Sequence, residues 1–146
     1  MRTHAADAVI LRGFNLIGPR QSTHFAVSDW GSQALAGASS IATGNLELRR
    51  DYVDVRDAAD GILALGTRAN GTSVLNLSSS KSVALKTLFE LAAPGCKAVV
   101  EPSRLRSNDP HEIRGCGKKA VELGWSPQIP LDQSVAELVA SLSAPS

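Results

Sequence analysis

The sequence predicts an α/β fold with a largely parallel sheet. Short apolar runs alternate along the chain with stretches of helical spacing, the pattern of strand–helix units. The first run, Ala8 to Asn15, opens with four successive apolar residues, as a strand buried on both faces does. Composition agrees, with 43% hydrophobic and 20% charged residues, the balance of an ordinary globular chain. At 146 residues the expectation is one domain spanning residues 1–146.

Each element has a local reason. The opening strand stops at the turn cluster Gly18-Pro19-Arg20-Gln21-Ser22-Thr23. Phe25 to Ala36 lacks proline and carries Ala, Val, Trp, Gln and Leu, a helix that Ser22 or Thr23 is placed to cap. Ile41 to Thr43 reads as a very short strand closed by the Gly44-Asn45 turn, and Arg50 to Val53 as a second. Asp54 precedes a strong helix with Ala58, Ile62 and Leu65 on one face and Ala59 and Leu63 beside them. Asp54 and Asp57 favour its positive amino end. Ser73 to Leu77 reads as a strand, and Ser82 as the cap of a helix built on Leu85, Leu88, Phe89 and Ala92. Lys97 to Glu101 is a strand ended by Pro102. A short helix from Lys118 stops at Gly124 with Pro127 beyond it. The last helix starts at Asp132 and turns Val135, Leu138, Val139 and Leu142 to a core, leaving only the final three or four residues loose. Between these lies Glu101 to Gly117, a long polar segment, and loops of that length in compact domains are usually functional or mobile.

Several function classes are excluded. A net charge of +1 gives no basic excess for nucleic acid. No apolar run approaches the roughly 20 residues that span a bilayer. The opening fifteen residues lack the pattern of a secretory leader, so the expected compartment is the cytosol. Cys96 and Cys116 have no neighbouring ligands at zinc spacing and are read as free, space-filling thiols; His4, His24 and His111 are scattered.

The residues offer little catalysis. No G-x-G-x-x-G, G-x-x-G-x-x-G or phosphate-loop motif occurs, and Gly115 and Gly117 form a lone G-x-G. Ser78-Ser79-Ser80 lacks a nucleophile-elbow setting. Tyr52, the single tyrosine, stands four residues before Arg56, which mimics a Tyr-x-x-x-Lys pair with a cation that never deprotonates, and it reads as a packed strand residue. Trp30 and Trp125 read as packing residues as well. Arginines are more suggestive: Arg20, Arg49-Arg50 and Arg104-Leu105-Arg106 all follow or begin strands. Guanidiniums at the ends of successive parallel strands are placed to converge on a pyrophosphate, since ligands of open α/β sheets bind beyond the carboxyl ends of strands. Spacing alone favours the alternative, that they are solvated or paired with a near acid such as Asp51 or Asp54.

Five ordered segments change that balance: R-G-F-N-L-I-G-P-R-Q (12–21), H-F-A-V-S-D-W-G-S-Q (24–33), G-N-L-E-L-R-R-D-Y-V-D-V-R-D-A-A-D-G (44–61), E-P-S-R-L-R-S-N-D-P (101–110) and E-L-G-W-S-P-Q-I-P-L (122–131). Together they resemble the carboxyl-terminal half of extended short-chain dehydrogenases of the NAD-dependent epimerase/dehydratase family. Within it the likeness is to relatives of GDP-mannose 4,6-dehydratase and GDP-4-keto-6-deoxymannose reductase. The resemblance covers residues 8–142 and implies a partial, Rossmann-like doubly wound domain without its dinucleotide-binding half.

It also implies a nucleotide-sugar site. Asn15 is expected beside the sugar, Phe25, Val27 and Ser28 along the substrate, and Asn45 and Leu46 near the nucleotide. Arg50 is expected at the diphosphate with Arg106 as a second phosphate arginine, and Asp109 at the nucleoside. The chain departs from the pattern at Gly13, where the family has proline, at Ser107-Asn108 in place of a proline-containing turn, and at Gly115-Cys116-Gly117-Lys118, which lacks an aspartate. The family's glycine-rich loop and Tyr-x-x-x-Lys pair have no counterpart here. No catalytic residue and no cofactor bound by this chain alone are therefore expected, although the family implies NAD(P). The expected function is GDP-sugar binding without catalysis. The alternatives are a dehydratase or reductase whose cofactor half comes from another chain, and a scaffold that has lost its ligand. The resemblance further implies an open sheet edge and apolar face, covered by a homodimer, a rearranged element or a cofactor-bearing partner chain.

Overall fold

The computed structural model describes residues 8–69 and 71–143. The opening read for a leader and the closing residues expected to be loose lie partly or wholly outside them. In chain order the elements are β1 (Val9–Gly13), β2 (Asn15–Ile17), α1 (Ala26–Leu35), β3 (Ser40–Thr43), β4 (Arg49–Arg50), β5 (Tyr52–Asp54) and α2 (Val55–Arg68). There follow β6 (Ser73–Leu77), β7 (Val83–Ala84), α3 (Leu85–Ala92), β8 (Lys97–Val100), a 3-10 turn (Pro102–Arg104), β9 (Glu112–Ile113), α4 (Lys118–Glu122) and α5 (Leu131–Leu142).

Parallel pairing dominates, as the alternation of elements predicts. β1 runs parallel to β6 with Ile10 opposite Val74 and Leu11 opposite Leu75, β2 to β5, and β3 to β8. A fourth small motif centres on β4, antiparallel to β7 and parallel to β9. The expected single sheet is thus divided into short ladders. β9 lies inside the long polar segment, which is therefore partly built in: its pairing folds the chain back along β4 and carries residues 109–111 to Arg50.

Two apolar clusters hold these layers. α1, α3 and α5 close over Val27, Trp30, Ile41, Leu88, Phe89, Val135 and Leu138, with Trp30 and Phe89 edge to face at 5.4 Å. α2 closes over Val53, Ala58, Leu65, Leu75, Leu77, Ala120 and Trp125. Trp125 also donates its indole N–H to the Asp57 carbonyl at 3.1 Å, so both tryptophans are packing residues.

Asp54 joins the two clusters. Its carboxylate accepts the Arg56 backbone N–H at 2.9 Å and so caps α2. It also takes two bonds from the Arg56 guanidinium, at 2.8 and 2.9 Å, and one from Ser134 of α5 at 2.6 Å.

Three local expectations are corrected. α1 and α3 have Phe25 and Ala84 at their cap positions and no side-chain cap. Ser22 Oγ accepts from the His24 N–H at 3.3 Å instead, and Ser82 accepts from Arg49 Nε and donates to Glu112. On α2, Ile62 and Leu63 are 54% and 71% exposed, and the buried stripe is Asp57, Ala58, Gly61 and Leu65. Gly61 sets that face: a Cβ there would stand 2.7 Å from Leu77 and 2.8 Å from Trp125, so the helix seats on its glycine. Cys96 donates to the Ala38 carbonyl at 3.0 Å, whereas Cys116 is exposed and fills no space.

The expected open edge is present. Among the described residues β1 pairs only with β6, and the cross-strand neighbours Ile10 and Val74 are 51% and 38% exposed. No helix among them is long and apolar enough to cross a membrane, and none of their His, Cys, Asp and Glu groups forms a metal cluster.

Candidate functional site

A cleft of about 880 Å³ opens between the amino end of α1, the turn after β3 and the segment after β8. Of the residues singled out in the sequence, Asn15, Phe25, Val27, Asn45, Leu46, Arg50, Arg106 and Asp109 line it. Ser28 does not. It is fully buried and hydrogen-bonds the cleft-lining Gln21 at 3.2 Å, while Gln21 donates to the Leu16 carbonyl at 2.7 Å. Ser28 therefore braces the cleft wall from behind.

Arg50 occupies the buried side. The β4 strand holds its backbone, and its Nη1 donates to the carbonyls of Arg49 at 2.8 Å and Pro110 at 3.0 Å. Its Nη2 meets the Asp109 carboxylate at 2.5 Å. The near acids do not take it. Asp54 is committed to Arg56, and Asp51 is committed to a different set of donors. Arg50 is both ion-paired, with an acid 59 residues away, and exposed to the cleft at its edge.

Asp51 is the structural residue that sequence reasoning missed. Its carboxylate is fully buried and accepts from Ser78 Oγ at 2.7 Å, Ser79 N at 2.9 Å, Ser79 Oγ at 2.6 Å and Gly115 N at 3.1 Å. Four donors satisfy a buried carboxylate without a counter-ion. Its backbone carbonyl accepts the Asn15 backbone N–H at 3.1 Å and side-chain Nδ2 at 2.9 Å. Asn15, which lines the cleft, is thereby anchored in its wall. Nothing in local sequence marks Asp51, because its donors come from residues far along the chain.

Tyr52 lines the same wall, and burial pushes its phenol up to about 12, with Arg50 opposing the shift. Arg56, four residues on, pairs with Asp54 and Glu137 and does not line the cleft, so the Tyr-x-x-x-Arg spacing makes no acid–base pair.

Arg104, one of the arginines the sequence singles out but given no role there, also faces the cleft. It lines the cleft with Nε 3.1 Å from Glu101 and Nη1 3.6 Å from Asp29 on α1. Its carbonyl explains Gly44, where a Cβ would stand 3.0 Å away. Arg106 is exposed, and its guanidinium has no ion-pair or hydrogen-bond partner among the described residues.

The lone G-x-G turn is not a phosphate cradle. A Cβ at Gly115 would lie 2.4 Å from Ser78 Oγ and 2.5 Å from Phe14, and one at Gly117 would lie 2.9 Å from the Ser78 carbonyl. The G-x-G turn is thus filled by the serine loop, with Gly117 N–H donating to Ser80 Oγ at 2.8 Å, and has no room for phosphate.

The family model described as "NAD dependent epimerase/dehydratase family" matches residues 1–78, more than half of the chain. The chain belongs to this family. GDP-6-deoxy-D-mannose reductase of Pseudomonas aeruginosa is 26% identical over 94% of this chain and 48% of its own length. UDP-glucose 4-epimerase of Mycolicibacterium smegmatis is 30% identical over 86% of this chain and 42% of its own length. The chain thus spans about half the length of the curated relatives it matches. Among solved structures, RMD from Pseudomonas aeruginosa complexed with NADPH superposes with a TM-score of 0.84 at 24% identity, over 92% of this chain and 48% of that one, and shows the shared fold. UDP-glucose 4-epimerase from Thermotoga maritima, solved with UDP-glucose, superposes with a TM-score of 0.79 at 25% identity, over 91% of this chain and 45% of that one.

Proposed function

We propose that this chain binds a nucleoside-diphosphate sugar, a GDP-sugar in the first instance, and carries out no hydride chemistry by itself. One observation carries the reading: a single cleft gathers Arg50 from β4 and Arg106 from the segment after β8, with Asn15 and Asn45 beside them. Guanidiniums from two separate segments facing one space suit the two ends of a diphosphate, each offering paired N–H donors to phosphate oxygens. Arg50 is preorganised by backbone carbonyls, and a phosphate reaching it competes with Asp109 for the same donors. The mannose reductase and glucose epimerase relatives supply the nucleotide-sugar class.

Tyr52 is not suited to proton transfer in this cleft. A phenol at about 12 holds its proton at neutral pH, and no neighbouring lysine lowers it. Calorimetric titration of the chain with GDP-mannose, with UDP-glucose and NADPH alongside, tests the reading. Binding of a nucleotide sugar without NADPH supports it. Arg50→Ala or Arg106→Ala is expected to weaken that binding roughly tenfold or more, from the loss of charge-assisted bonds. Unchanged affinity in both variants refutes the assignment.

A second reading is favoured by the edge of β1 that stays unpaired among the described residues, with its exposed Ile10–Val74 pair. In it the chain completes a reductase or dehydratase with a cofactor-bearing partner, or covers that face with a second copy. Sedimentation of the chain alone tests self-association, and NADPH binding that arises only in a complex with a partner supports the composite enzyme.

A further inference from the structure

We infer that the outer edge of β8 is a self-association surface, on which a second copy of this chain adds its own β8, antiparallel, about a two-fold axis at Val99. Among the described residues β8 pairs with β3 alone, so its other edge is open. Lys97 N–H donates to the Ser39 carbonyl and Glu101 N–H to the Thr43 carbonyl, both at 2.9 Å. Backbone direction alternates along a strand. Lys97, Val99 and Glu101 therefore turn their N–H and C=O groups to β3, and Ala98 and Val100 turn theirs to the open edge. Side chains alternate between the two faces. Ala98 packs on the core under α1, α3 and α5, and with Val100 it lines a groove of about 420 Å³ beside Leu46 and Phe89. Lys97, Val99 and Glu101 lie on the other face and are exposed, Val99 by 47%.

The charges on this strand identify its occupant. Charged residues on an open edge ordinarily repel a like strand. Here the strand reads Lys-Ala-Val-Val-Glu, a cation at one end and an anion at the other. The two stand about 13 Å apart along the strand, too far to neutralise each other within one chain. Across a two-fold at Val99 they meet: Lys97 faces the second copy's Glu101, Glu101 faces its Lys97, and Val99 packs on Val99. These are the non-hydrogen-bonded positions, where opposed side chains stand closest. Ala98 and Val100 fall on the hydrogen-bonded positions between them and exchange backbone bonds with the second copy. The register that satisfies the open backbone groups is thus the one that matches the charges. A parallel second strand in register would set Lys97 against Lys97 instead. Glu101 already accepts from Arg104 Nε at 3.1 Å, and a carboxylate has sites for both cations.

Analytical ultracentrifugation of the full chain with its charges exchanged tests the pairing. Wild type is expected to dimerise with a dissociation constant on the order of 10–100 μM, as a small interface does. Lys97→Glu opposes carboxylates at both ends of the paired strands, and Glu101→Lys opposes ammonium groups. Each is expected to weaken the dimer roughly tenfold or more, because a two-fold axis repeats every substitution. Combining both substitutions in one chain restores opposite charges and is expected to return association to within about threefold of wild type. An equimolar mixture of the two single variants is expected to associate as well, since each supplies the charge the other lacks; that recovery also shows that both variants fold. A wild type still monomeric at about 500 μM overturns the inference. So does a dimer indifferent to the single substitutions, or a weakening that the double variant and the mixture do not both reverse. Neither Lys97 nor Glu101 lines the cleft, so these outcomes leave the nucleotide-sugar reading to its own test.

Discussion

Asp54 offers a measurable account of how the two cores are tied together. Burial alone raises a carboxyl's pKa. Here the bonds from Arg56 and Ser134, with the Arg56 charge, outweigh it and carry the group from 3.8 down to about 2. That difference is worth about 2.5 kcal/mol to the folded state once the carboxylate is ionised in both states. The sign follows from the direction. The unfolded chain binds the proton more readily, so the contribution is complete well above 3.8 and is lost as pH falls toward about 2. Asp54→Ala removes the charge, the helix cap and the acceptor of Ser134 together, for a loss of about 3 kcal/mol at neutral pH. Asp54→Asn keeps a capping oxygen and loses the charge, so about half that loss is expected. Urea denaturation of wild type and both variants, at pH 7 and at pH 3, measures it. The gap between wild type and Asp54→Ala should shrink by about 1 kcal/mol across that range. A gap that is constant with pH, or one below about 0.5 kcal/mol at neutral pH, refutes the claim that this ionised carboxylate clamps α2 to α5.

Two glycines of α2 should respond oppositely. Gly61→Ala forces a methyl against Leu77 and Trp125 and should cost about 1–3 kcal/mol, whereas Gly66→Ala meets nothing within 4 Å and should stabilise by about 0.5–1 kcal/mol; paired thermal melts decide both. Tyr52 is the single tyrosine, so ultraviolet titration reads one phenol, with a midpoint expected near 12 while the chain is folded. Because its folded value is raised, Tyr52 supports the fold below 10 and withdraws that support as pH climbs toward 12. A midpoint near 10 in the folded chain contradicts its burial. Arg106→Ala should flatten the salt dependence of nucleotide-sugar binding and leave the melting temperature alone, since that guanidinium has no partner among the described residues; a large loss of stability would place it in the scaffold instead.

The elements were legible where one physical demand dominated. Leu88 with Phe89 and Ala92 had to be the inner face of a helix, because burial alone explains their spacing, whereas Val9 to Leu11 form the expected strand but not one buried on both faces, since Ile10 is 51% exposed. Where two demands competed, local pattern misled. Periodicity counts Ile62 and Leu63 as core and passes over Gly61, yet close approach to Trp125 decides which way α2 rolls. Ser82 has the chemistry of a cap, but the ion pair of Arg49 with Glu112 claims its hydroxyl, and α3 starts without one.

The site shows a different kind of limit. For the arginines, spacing posed a choice between ion pair and ligand site, with the near acids Asp51 and Asp54 as natural partners. Neither acid takes Arg50. Each is buried and already saturated by its own donors, so the guanidinium pairs with Asp109, reached only because β9 lies along β4. Pair and cleft then cease to be alternatives. An arginine held by an exposed-side acid and by backbone carbonyls is fixed in direction before any ligand arrives. It surrenders little side-chain entropy on binding, and the acid that holds it is the group a phosphate displaces. The residue type and position were in the sequence, but the cost of leaving that pairing depends on a fold-back of some 60 residues that no local pattern carries.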